Sequence, residues 1–446
     1  MNDIENIRQE ILEKTKEYYK KRFKTDQKFI PGKTKINYAG RVFDENEILN
    51  LIDSSLEFWL TEGKYSAQFR TSLSTFIGTK HCVLANSGSS ANLLAISSLT
   101  SDKIEHDKRL KKGDEIITVA AAFPTTVFPI IQNGAIPVFI DIELDTYNID
   151  TTKLKDALSE QTKAIFLAHT LGNPFDAKTI RNFCEKNNLW LIEDNCDSLG
   201  SKYEDTYTGN LGDMSTCSFY PPHHITLGEG GAVLTNNPNL HRILNSFREW
   251  GRDCWCPPGK DNTCGKRFQW QLGSLPFGYD HKFIYSEIGY NLKITDMQAA
   301  IGIAQLEKLP LFIEARRKNH KRLYESLKEF EDLIILPKAQ INSNPSWFGF
   351  LITLRDESKI ERLEIVKKLE EFGIQTRLLF SGNIVRHPVF DKLKDKEKNY
   401  RIVGDLTNTD KVMNDSFWIG VYPGMTDEMV NFIIEKISEI LNQTRI

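Results

Sequence analysis

Three cysteines crowd into one short stretch of the chain, at Cys254, Cys256 and Cys264. With the earlier Cys196 they give the spacing C-x57-C-x1-C-x7-C. Four thiolates at such positions can hold a 2Fe–2S cluster or a zinc ion. The spacing matches neither plant-type ferredoxins nor the paired CxxC motifs of zinc ribbons, so unrelated thiols are the alternative. The cysteine count of seven is odd, which argues against a disulfide framework.

A second group of residues could bind a phosphorylated aromatic cofactor. Ser89 and Ser90 follow a glycine between a predicted strand and a predicted helix, where backbone N–H groups can approach a phosphate. Phe123 follows the next predicted strand and could cover a flat ring, although a core phenylalanine would have the same signature. Asp194 ends an apolar strand and could pair with a protonated pyridine nitrogen, or cap the following helix.

The segment from Ser218 to Gly231, SFYPPHHITLGEGG, carries the most specific pattern in the chain. Two adjacent histidines, His223 and His224, stand in its middle, and a Gly-Glu-Gly-Gly run ends it. Imidazole titrates near neutral pH, so a histidine here would suit the role of a general base.

The elements that must position these residues alternate between short apolar runs and amphipathic runs from about residue 78. We predict strands in HCVLANSG, DEIITVA, IPVFIDI, AIFLAHT, LWLIED, CSFYP and GAVLTN. We predict helices between them in SSANLLAISSL, PTTVFPIIQNG and AKTIRNFCEKNN. This alternation predicts an α/β fold with a mainly parallel sheet covered on both faces, and ligands at the carboxyl ends of its strands.

We predict three regions along the chain. Residues 1–34 form a helical N-terminal segment, and residues 35–319 form a large domain that includes the cysteine loop near 254–264. Residues 320–446 form a smaller α+β domain, in which WFGFLITL is a strand and IERLEIVKKLEEFG a helix. A long helical run that starts at ITDMQ leads from the large domain to the small one.

In chain order these features resemble the DegT-type family of sugar-nucleotide aminotransferases and dehydratases, which has the aspartate-aminotransferase fold (fold type I). The resemblance runs from about residue 35 to the end. The family pattern S-F-x-x-x-K-x-x-x-x-G-E-G-G matches from Ser218 to Gly231 except at the lysine position, which is His223. The segments Gly289–Lys293 (GYNLK) and Thr295–Ala300 (TDMQAA) also match.

The resemblance implies a set of residues that hold the cofactor. Ser218 would help bind the phosphate, Asp194 the pyridine nitrogen, and Asn291 would reach the phosphate from the partner subunit of a homodimer. Asp197 stands where the family often has a glutamine or histidine that faces the ring. The implied cofactor-binding residues are Gly88, Ser89, Ser90, Phe123, Asp194, Asp197, Ser218 and Asn291.

The missing lysine changes the chemistry that the resemblance implies. Aminotransferases use a lysine amine to hold the cofactor covalently, and no lysine occurs between Lys202 and Lys260. We therefore expect pyridoxamine 5'-phosphate (PMP) to bind non-covalently, with His223 as the base. His224 could be the base by residue type, and an inactive site is the remaining alternative. A histidine in place of the lysine resembles the sugar 3-dehydratases of the family.

The cysteine spacing resembles the cluster motif of CDP-sugar 3-dehydratases and is not expected in the GDP-sugar enzymes. It implies a 2Fe–2S cluster, CDP-4-dehydro-6-deoxyglucose as substrate, and 3-deoxygenation in the synthesis of 3,6-dideoxyhexoses for surface polysaccharide. Since no nicotinamide or flavin fingerprint is visible, electrons would come from a separate NAD(P)H-dependent flavin/iron–sulfur reductase. The alternatives are a cluster-independent GDP-sugar 3-dehydratase that uses glutamate, and a non-catalytic relative with structural zinc.

The composition sets limits on the partners of the protein. The chain of 446 residues has a formal net charge of −3, without the excess of basic residues typical of nucleic-acid-binding proteins. No apolar run approaches the roughly 18 residues of a membrane span. We therefore expect a cytoplasmic protein with neither nucleic acid nor membrane as a partner. Arg248, Arg377 and Arg386 are candidates for the phosphates of the nucleotide, and His387 has no assigned role.

Overall fold

The computed structural model describes residues 3–23, 28–393 and 399–445. Its main element is a sheet of eight strands, accompanied by two smaller sheets. In chain order the strands are β1 (His81–Ala85), β2 (Glu115–Val119), β3 (Ile136–Ile140), β4 (Thr162–Ala168), β5 (Trp190–Asp194), β6 (Lys202–Tyr203), β7 (Thr206–Tyr207), β8 (Met214–Ser218), β9 (Gly231–Thr235), β10 (Ile334–Ile335), β11 (Ser343–Asn344), β12 (Gly349–Leu354), β13 (Thr376–Arg377), β14 (Arg401–Ile402) and β15 (Ser416–Gly420).

The eight-stranded sheet has the order β1-β9-β8-β5-β4-β2-β3-β14. The strands from β8 to β14 pair in parallel, whereas β9 pairs antiparallel with both β1 and β8. Six of the seven predicted strands are confirmed as members of this sheet, whereas the seventh, CSFYP, overlaps β8 only at Cys217 and Ser218. The strands β2, β5, β8 and β9 are buried along their whole length. Burial on both faces explains why β2, β5 and β9 are mainly apolar in sequence.

Helices pack against this sheet and against the C-terminal strands. The α-helices are α1 (Asp3–Phe23), α2 (Glu45–Glu57), α3 (Lys64–Ile77), α4 (Gly88–Ser98), α5 (Pro124–Gln132), α6 (Leu154–Ala157), α7 (Ala177–Lys186), α8 (Pro238–Arg248), α9 (Asp296–Leu327), α10 (Arg362–Glu371), α11 (Pro388–Asp391), α12 (Thr407–Asp415) and α13 (Asp427–Thr444). Short 3₁₀ turns occur at Thr151–Lys153, Thr170–Gly172, His281–Phe283, Lys328–Phe330 and Ile384–Arg386. The predicted helices correspond to α4, α5, α7, α9 and α10.

The long helix α9 connects the large sheet to the C-terminal part of the chain. It begins with a capping box in which Thr295 and Gln298 bond each other's backbone N–H, and it continues for 32 residues. The predicted boundary at 319/320 falls inside this helix, near Asn319, whose side chain donates to the carbonyls of Val421 and Tyr422. The division of the chain into three regions stays a prediction.

The C-terminal part builds an antiparallel sheet of its own, with the order β10-β12-β15-β13. Its apolar face packs with α10, α13 and the end of α9 around side chains that include Leu323, Phe350 and Ile437. The late strand β14 leaves this unit and pairs in parallel with β3, so the C-terminal segment also closes the edge of the large sheet. Among the described helices, none combines the length and the apolar composition that crossing a membrane requires.

Candidate active site

The carboxyl ends of β5 and β8 open into a cavity of about 490 Å³. Parallel strands end at the same edge of a sheet, so the residues that terminate them are brought together there. The cavity is lined by Tyr38, Ser87, Gly88, Ser89, Phe123, Thr125, Thr126, Ala168, Leu171, Asp194, Cys196, Asp197, Ser218, Tyr220, Pro222, His223, Glu229, Phe348, Arg377, Leu378, Phe380 and Trp418. Seven of the nine residues predicted for catalysis and cofactor binding are among them; Ser90 and Asn291 are not.

One wall of the cavity is the N-terminus of α4. Ser87 caps this helix, and its Oγ accepts the backbone N–H of Ser90 at 3.0 Å. A Cβ atom on Gly88 would lie 2.3 Å from the Cβ of Ser218, so a glycine here lets the helix start approach the end of β8. The free N–H groups and the positive end of the helix dipole make this wall suitable for a phosphate.

Asp194 stands at the floor of the cavity, at the last position of β5. Its Oδ2 accepts hydrogen bonds from Asn92 Nδ2 at 2.9 Å and from Thr126 Oγ1 at 2.8 Å. Its Oδ1 accepts the backbone N–H of Cys196 at 3.2 Å. Asn92 and Thr126 orient the carboxylate from α4 and α5, and nothing in the local sequence distinguishes them as site residues.

Phe123 is the aromatic wall of the cavity. It precedes α5, and 51% of its surface is exposed although it contacts the ring of Phe380, with 6.3 Å between the centroids. A core phenylalanine would be buried, so the core alternative for this residue does not hold. An open aromatic face beside Asp194 suits a flat ring that stacks on it.

His223 and Asp197 face each other on the other side of the cavity. The Nε2 of His223 lies 3.4 Å from Oδ1 of Asp197. The second atoms of both groups, Nδ1 of His223 and Oδ2 of Asp197, are buried and have no partner among the described residues. Burial raises the pKa of Asp197, and hydrogen bonding to His223 partly opposes that rise. Buried polar atoms without partners in a cavity indicate a bound molecule that satisfies them.

A fully buried arginine, Arg316 of α9, lies behind this pair. Its guanidinium donates to the carbonyls of Trp347 and Phe348 at 3.3 Å each, and to that of His223 at 3.5 Å. Burial lowers the pKa of Arg316 to about 9, and the nearby charge of Asp197 partly opposes that drop. Nothing in the local sequence distinguishes Arg316, because it is one arginine within a long helix.

His224 does not reach the cavity. Its Nε2 lies 2.8 Å from the backbone carbonyl of Ser346, and only 3% of the residue is exposed. Burial, followed by the charge of Arg316, lowers the pKa of His224 well below its usual value. His224 is therefore a neutral, buried neighbour of His223.

Asn291 lies on the surface, outside this cavity. Its Oδ1 accepts from Nζ of Lys293 at 2.7 Å, so the side chain is not engaged with the cofactor pocket of its own subunit. The role implied for it, reaching the phosphate of the partner subunit, stays a prediction.

The predicted metal ligands fall into two places. Cys254, Cys256 and Cys264 lie in one loop, around the ring of His281. Cys196 lies in the cofactor cavity beside Asp194, and the structure does not bring it to the other three within the chain. His281 was not identified from the sequence, since a single histidine 17 residues after Cys264 has no recognisable metal-binding spacing.

The thiols differ in their electrostatic surroundings. Burial, followed by the charge of Asp194, holds the pKa of Cys196 well above its usual value, which favours the neutral thiol. Burial likewise raises the pKa of Cys254 to about 11. Burial also disfavours the thiolate of Cys256, but hydrogen bonds from Thr263 and from its cysteine neighbours outweigh it and lower the pKa to about 6.

Of the residues considered for the nucleotide, only Arg377 lines the cavity, with its guanidinium 3.9 Å from the ring centroid of Tyr38. Arg248 is buried and paired with Glu62 at 2.6 Å. Arg386 pairs with Asp410 at 2.7 Å on the surface. His387 is exposed, with Nε2 2.7 Å from the carbonyl of Ser381.

Residues 42–438 match the DegT/DnrJ/EryC1/StrS aminotransferase family. The lipopolysaccharide biosynthesis protein RfbH of Salmonella typhimurium is 51% identical, over 97% of this chain and 98% of that protein. The dTDP-4-dehydro-2,6-dideoxy-D-glucose 3-dehydratase of Saccharopolyspora spinosa is 48% identical, over 98% of this chain and 93% of that enzyme.

A solved structure of a related enzyme has the same fold as this chain. The GDP-4-keto-6-deoxy-D-mannose-3-dehydratase of E. coli, with bound hydrated PLP, superposes with a TM-score of 0.79 at 30% identity. The match covers 90% of this chain and 98% of that one. The chain therefore belongs to the DegT/DnrJ/EryC1/StrS aminotransferase family and has the fold-type I aminotransferase architecture that its sequence predicts.

Proposed function

We propose that this protein is a PMP-dependent 3-dehydratase of a nucleotide-linked 4-keto-6-deoxyhexose. The observation that carries the proposal is the cofactor cavity, which presents a histidine at the lysine position of the family and, among the described residues, no lysine in its lining. Without a lysine amine, this cavity has no side chain that could bind the cofactor covalently as in a transaminase. A base and an electron-accepting cofactor remain, and these suffice for elimination of water.

The residues present fit a pyridoxamine phosphate. The N-terminus of α4 with Ser89 and Ser218 would hold the phosphate, and Ser90 supports this wall through its bonds to Ser87. Asp194 would bind the pyridine nitrogen, and Phe123 would stack on the ring. The cofactor, when bound, supplies an amine that condenses with a ketone and a ring that accepts electrons.

His223 is the proposed base that removes a proton. Its imidazole faces the cavity, and Asp197 lies close enough to stabilise the positive charge that develops when a proton arrives. Arg316 holds the backbone carbonyl of His223 and so helps to fix the position of the ring. The neutral His224, held by Ser346, leaves His223 as the base of this pair.

For the nucleotide we propose CDP, with CDP-4-dehydro-6-deoxyglucose as substrate in the synthesis of a 3,6-dideoxyhexose. The relative from Saccharopolyspora spinosa, whose name specifies a dTDP-linked sugar, makes dTDP the first competitor. The relative from Yersinia pseudotuberculosis named GDP-4-keto-6-deoxy-D-mannose 3-dehydratase, 36% identical, makes GDP the second. Arg377, the cation that lines the cavity, is the proposed contact to the sugar nucleotide.

The C3 oxygen leaves as water, and conversion of the resulting unsaturated sugar to the 3-deoxy sugar then requires two electrons. We propose that a 2Fe–2S cluster at the cysteine loop passes them from a separate NAD(P)H-dependent flavin/iron–sulfur reductase. Three thiols that converge on one buried histidine support a metal centre in this loop. Structural zinc in the same loop, and a GDP-type enzyme that uses glutamate and needs no cluster, are the alternatives.

The test of the dehydratase assignment is the variant His223→Asn. With substrate present, the wild type should exchange the methylene hydrogen of PMP with solvent deuterium and should eliminate water from the 4-keto sugar. The variant should keep PMP bound, since Asp194, Ser218 and Phe123 are unchanged. Both rates should fall by about a hundred- to ten-thousandfold, the usual cost of losing a general base.

The matched control is His106→Asn, which alters an exposed histidine that contacts Lys111. It should leave both rates unchanged. CDP-, dTDP- and GDP-linked 4-keto sugars, compared in the same assay, separate the three nucleotides. Normal exchange in His223→Asn would remove this residue from the role of base, and transfer of an amino group to the sugar by the wild type would contradict the dehydratase assignment.

A further inference from the structure

A second cavity, the edge groove, has a volume of about 1590 Å³ and lies along β1, the strand at one edge of the large sheet. It is lined by the start of β1, by α3 and α8, and by the loop from Arg252 to Lys260. No described residue lines both the edge groove and the cofactor cavity. The groove is therefore a separate place on the molecule, and the proposed reaction does not use it.

The five carboxylates that line the edge groove already have partners within the chain. Four of them form ion pairs, and the fifth accepts backbone N–H groups. The pairs are Glu57 with Lys64, Glu62 with Arg248, Glu249 with Arg252 and Asp253 with Lys103, and Asp296 bonds the N–H groups of Gly63 and Ser66. These acids are therefore not free to neutralise further cations of the groove.

Four cations of the groove form no ion pair with any described residue. They are Arg70, Lys80, Arg242 and Lys260. Arg70 belongs to α3 and Arg242 to α8, and the guanidinium of Arg242 lies 5.4 Å from the ring centroid of Trp255. Unpaired cations that different elements bring to one cavity favour an anionic ligand, and a guanidinium matches the oxygens of a phosphate in geometry.

The positive surroundings also act on a histidine of the groove. His241 stacks on His81, with 4.5 Å between the ring centroids and 11° between the ring planes. Burial, followed by the charges of His81, Arg70 and Arg248, lowers the pKa of His241 to about 4. His241 is therefore neutral near pH 7, and an anion bound in the groove would offset the repulsion between these cationic groups.

Two residues of α8 line the groove with buried polar atoms that have no partner among the described residues. These atoms are Oγ of Ser246 and Nε of Arg248, and the two residues are 6% and 3% exposed. Glu62 and the carbonyl of Leu84 both bond Nη1 of Arg248 and leave its Nε unused. Buried polar atoms without partners are rare in folded proteins, and beside a cavity they indicate a ligand that bonds them.

Two indole rings offer accessible flat faces at the groove. Trp59 is 44% exposed and Trp255 is 50% exposed. A Cβ atom on Gly259 would lie 2.5 Å from Cη2 of Trp59, so the cysteine loop packs closely on this ring. Exposed indoles beside unpaired cations suit a nucleotide, because a base can stack on the ring while its phosphates meet the cations.

We propose that the edge groove binds a nucleoside diphosphate. Its phosphates lie among Arg70, Lys80 and Arg242. Its base stacks on the indole of Trp59 or Trp255. Stacking accepts any base, so the phosphates and not the base define the ligand. This site goes beyond the proposed dehydratase function and stands whether or not that function holds.

Photolabelling of the PMP-loaded wild type with 2-azido-ADP locates the site without any variant. The label should appear on the peptides that contain Trp59 or Trp255, and excess ADP should prevent it. Label found only on peptides of the cofactor cavity, such as those with Tyr38 or Arg377, would overturn the proposal. The absence of any label that ADP displaces would overturn it as well.

Isothermal titration with ADP and with pyrophosphate measures the part of the cations. Arg70→Gln/Lys80→Gln should weaken the binding of both ligands by about ten- to a hundredfold, the usual effect of losing hydrogen bonds to a charged group. The matched control is Lys153→Gln/Lys155→Gln, which removes two exposed lysines outside the groove and should leave both affinities unchanged. Equal ADP affinity in Arg70→Gln/Lys80→Gln and the wild type would contradict the proposal.

Trp255→Leu separates a nucleotide from a simple phosphate. It should weaken the binding of ADP by roughly five- to a hundredfold, the usual effect of losing one stacking contact, and should leave the binding of pyrophosphate unchanged. If Trp255→Leu and Trp59→Leu both left the affinity for ADP unchanged, the groove would bind phosphate groups only and the assignment to a nucleotide would be wrong.

Ser246→Ala distinguishes a ligand-binding role from a structural one. Because Oγ of Ser246 has no partner among the described residues, its removal should keep or raise the thermal stability of the protein without nucleotide. The same change should weaken the binding of ADP. Lower stability together with unchanged ADP affinity would show that this hydroxyl serves the fold and would remove it from the site. Hydrogen exchange at PMP depends on His223 and not on this groove, so failure of the nucleotide site and failure of the proposed dehydration give separate signals.

Discussion

At the scale of single residues, we expect the chemistry of the cavity to depend on how His223 passes a proton beside Asp197. Burial favours the neutral form of Asp197, whereas His223 and the buried Arg316 favour its anion. Ionisation of Asp197 therefore costs free energy as long as His223 carries no positive charge. Such a carboxylate is suited to stabilise an imidazolium that exists only after proton transfer.

This arrangement predicts a pH dependence of stability. The raised pKa of Asp197 means that its stabilising contribution is present below its unfolded pKa of about 3.9 and is lost as the pH rises through the higher folded value. Asp197→Asn removes that loss. We expect the variant to gain free energy of unfolding relative to the wild type as the pH rises from 4 towards 8, measured by urea denaturation of cofactor-free protein.

The control for this comparison is Asp205→Asn, at an exposed carboxylate outside the cavity. It removes one acidic side chain without altering the cavity, so it reports the effect of net charge alone. If the differences of Asp197→Asn and Asp205→Asn from the wild type varied with pH in the same way, burial would not be what raises the pKa of Asp197.

At the scale of elements, the proposed phosphate wall consists of Gly88 and Ser89 at the start of α4 and of Ser218 at the end of β8. It depends on the contact between these two ends. The contact is possible because Gly88 has no side chain where Ser218 approaches. The same closeness recurs at Gly231, where a Cβ atom would lie 2.2 Å from the carbonyl oxygen of Ser87. The glycines of the site therefore set the distance between a helix and the strands beside it.

Gly88→Ala should displace the helix start and weaken the binding of PMP. Loss of one hydrogen bond to a charged phosphate costs about 1.5–3 kcal/mol, or roughly ten- to a hundredfold in the dissociation constant. Equilibrium dialysis with PMP measures this change. Gly113→Ala is the control: its φ of +90° makes a side chain unfavourable, but a Cβ there meets nothing within 4 Å, and Gly113 does not line the cavity.

In this comparison Gly113→Ala should lose stability and keep its affinity for PMP. Equal affinity in Gly88→Ala and the wild type would mean that the start of α4 does not bind the phosphate.

At the scale of the whole molecule, the segment that precedes Asn291 is where we propose a contact between two subunits. Four large apolar side chains nearby in the sequence are exposed: Phe277 by 74%, Phe283 by 56%, Tyr285 by 50% and Ile288 by 95%. Apolar groups exposed together on one segment are typical of a contact surface. The proposed homodimer would cover them and bring Asn291 to the phosphate wall of the partner.

A shared site predicts complementation between two inactive variants. His223→Asn and Asn291→Ala, refolded or expressed together, should form dimers in which one of the two sites is intact. Random pairing gives about a quarter of the wild-type dehydration rate, since half of the dimers are mixed and each has one working site. Sedimentation should show twice the chain mass. No gain in activity on mixing would mean that Asn291 does not act across the interface.

The local sequence determined most of the fold and the cofactor cavity. Six strands of the large sheet were predictable because each is a short, mainly apolar run bounded by turn residues. The strand β8, Met-Ser-Thr-Cys-Ser, has no such run, and its prediction was displaced towards Tyr220. Asp194 was predictable as a site residue because it ends such a strand, and the ends of parallel strands meet at one edge. Ser218 was predicted only from the resemblance of its segment to the family pattern. The segment SFYPPHHITLGEGG has the same spacing as the family pattern, so the replacement of lysine by His223 was visible directly in the sequence.

Only the tertiary structure decided which distant residues meet. Arg316 reaches His223 because α9 crosses behind the cavity, and β14 joins the large sheet from the C-terminal part of the chain. Cys196 ends beside Asp194, whereas His281 lies among the thiols of Cys254 and Cys256. Spacing along a chain limits which residues can meet, but the path of the backbone between them selects the ones that do. That path is set by packing and hydrogen bonds over long separations, which no local pattern records.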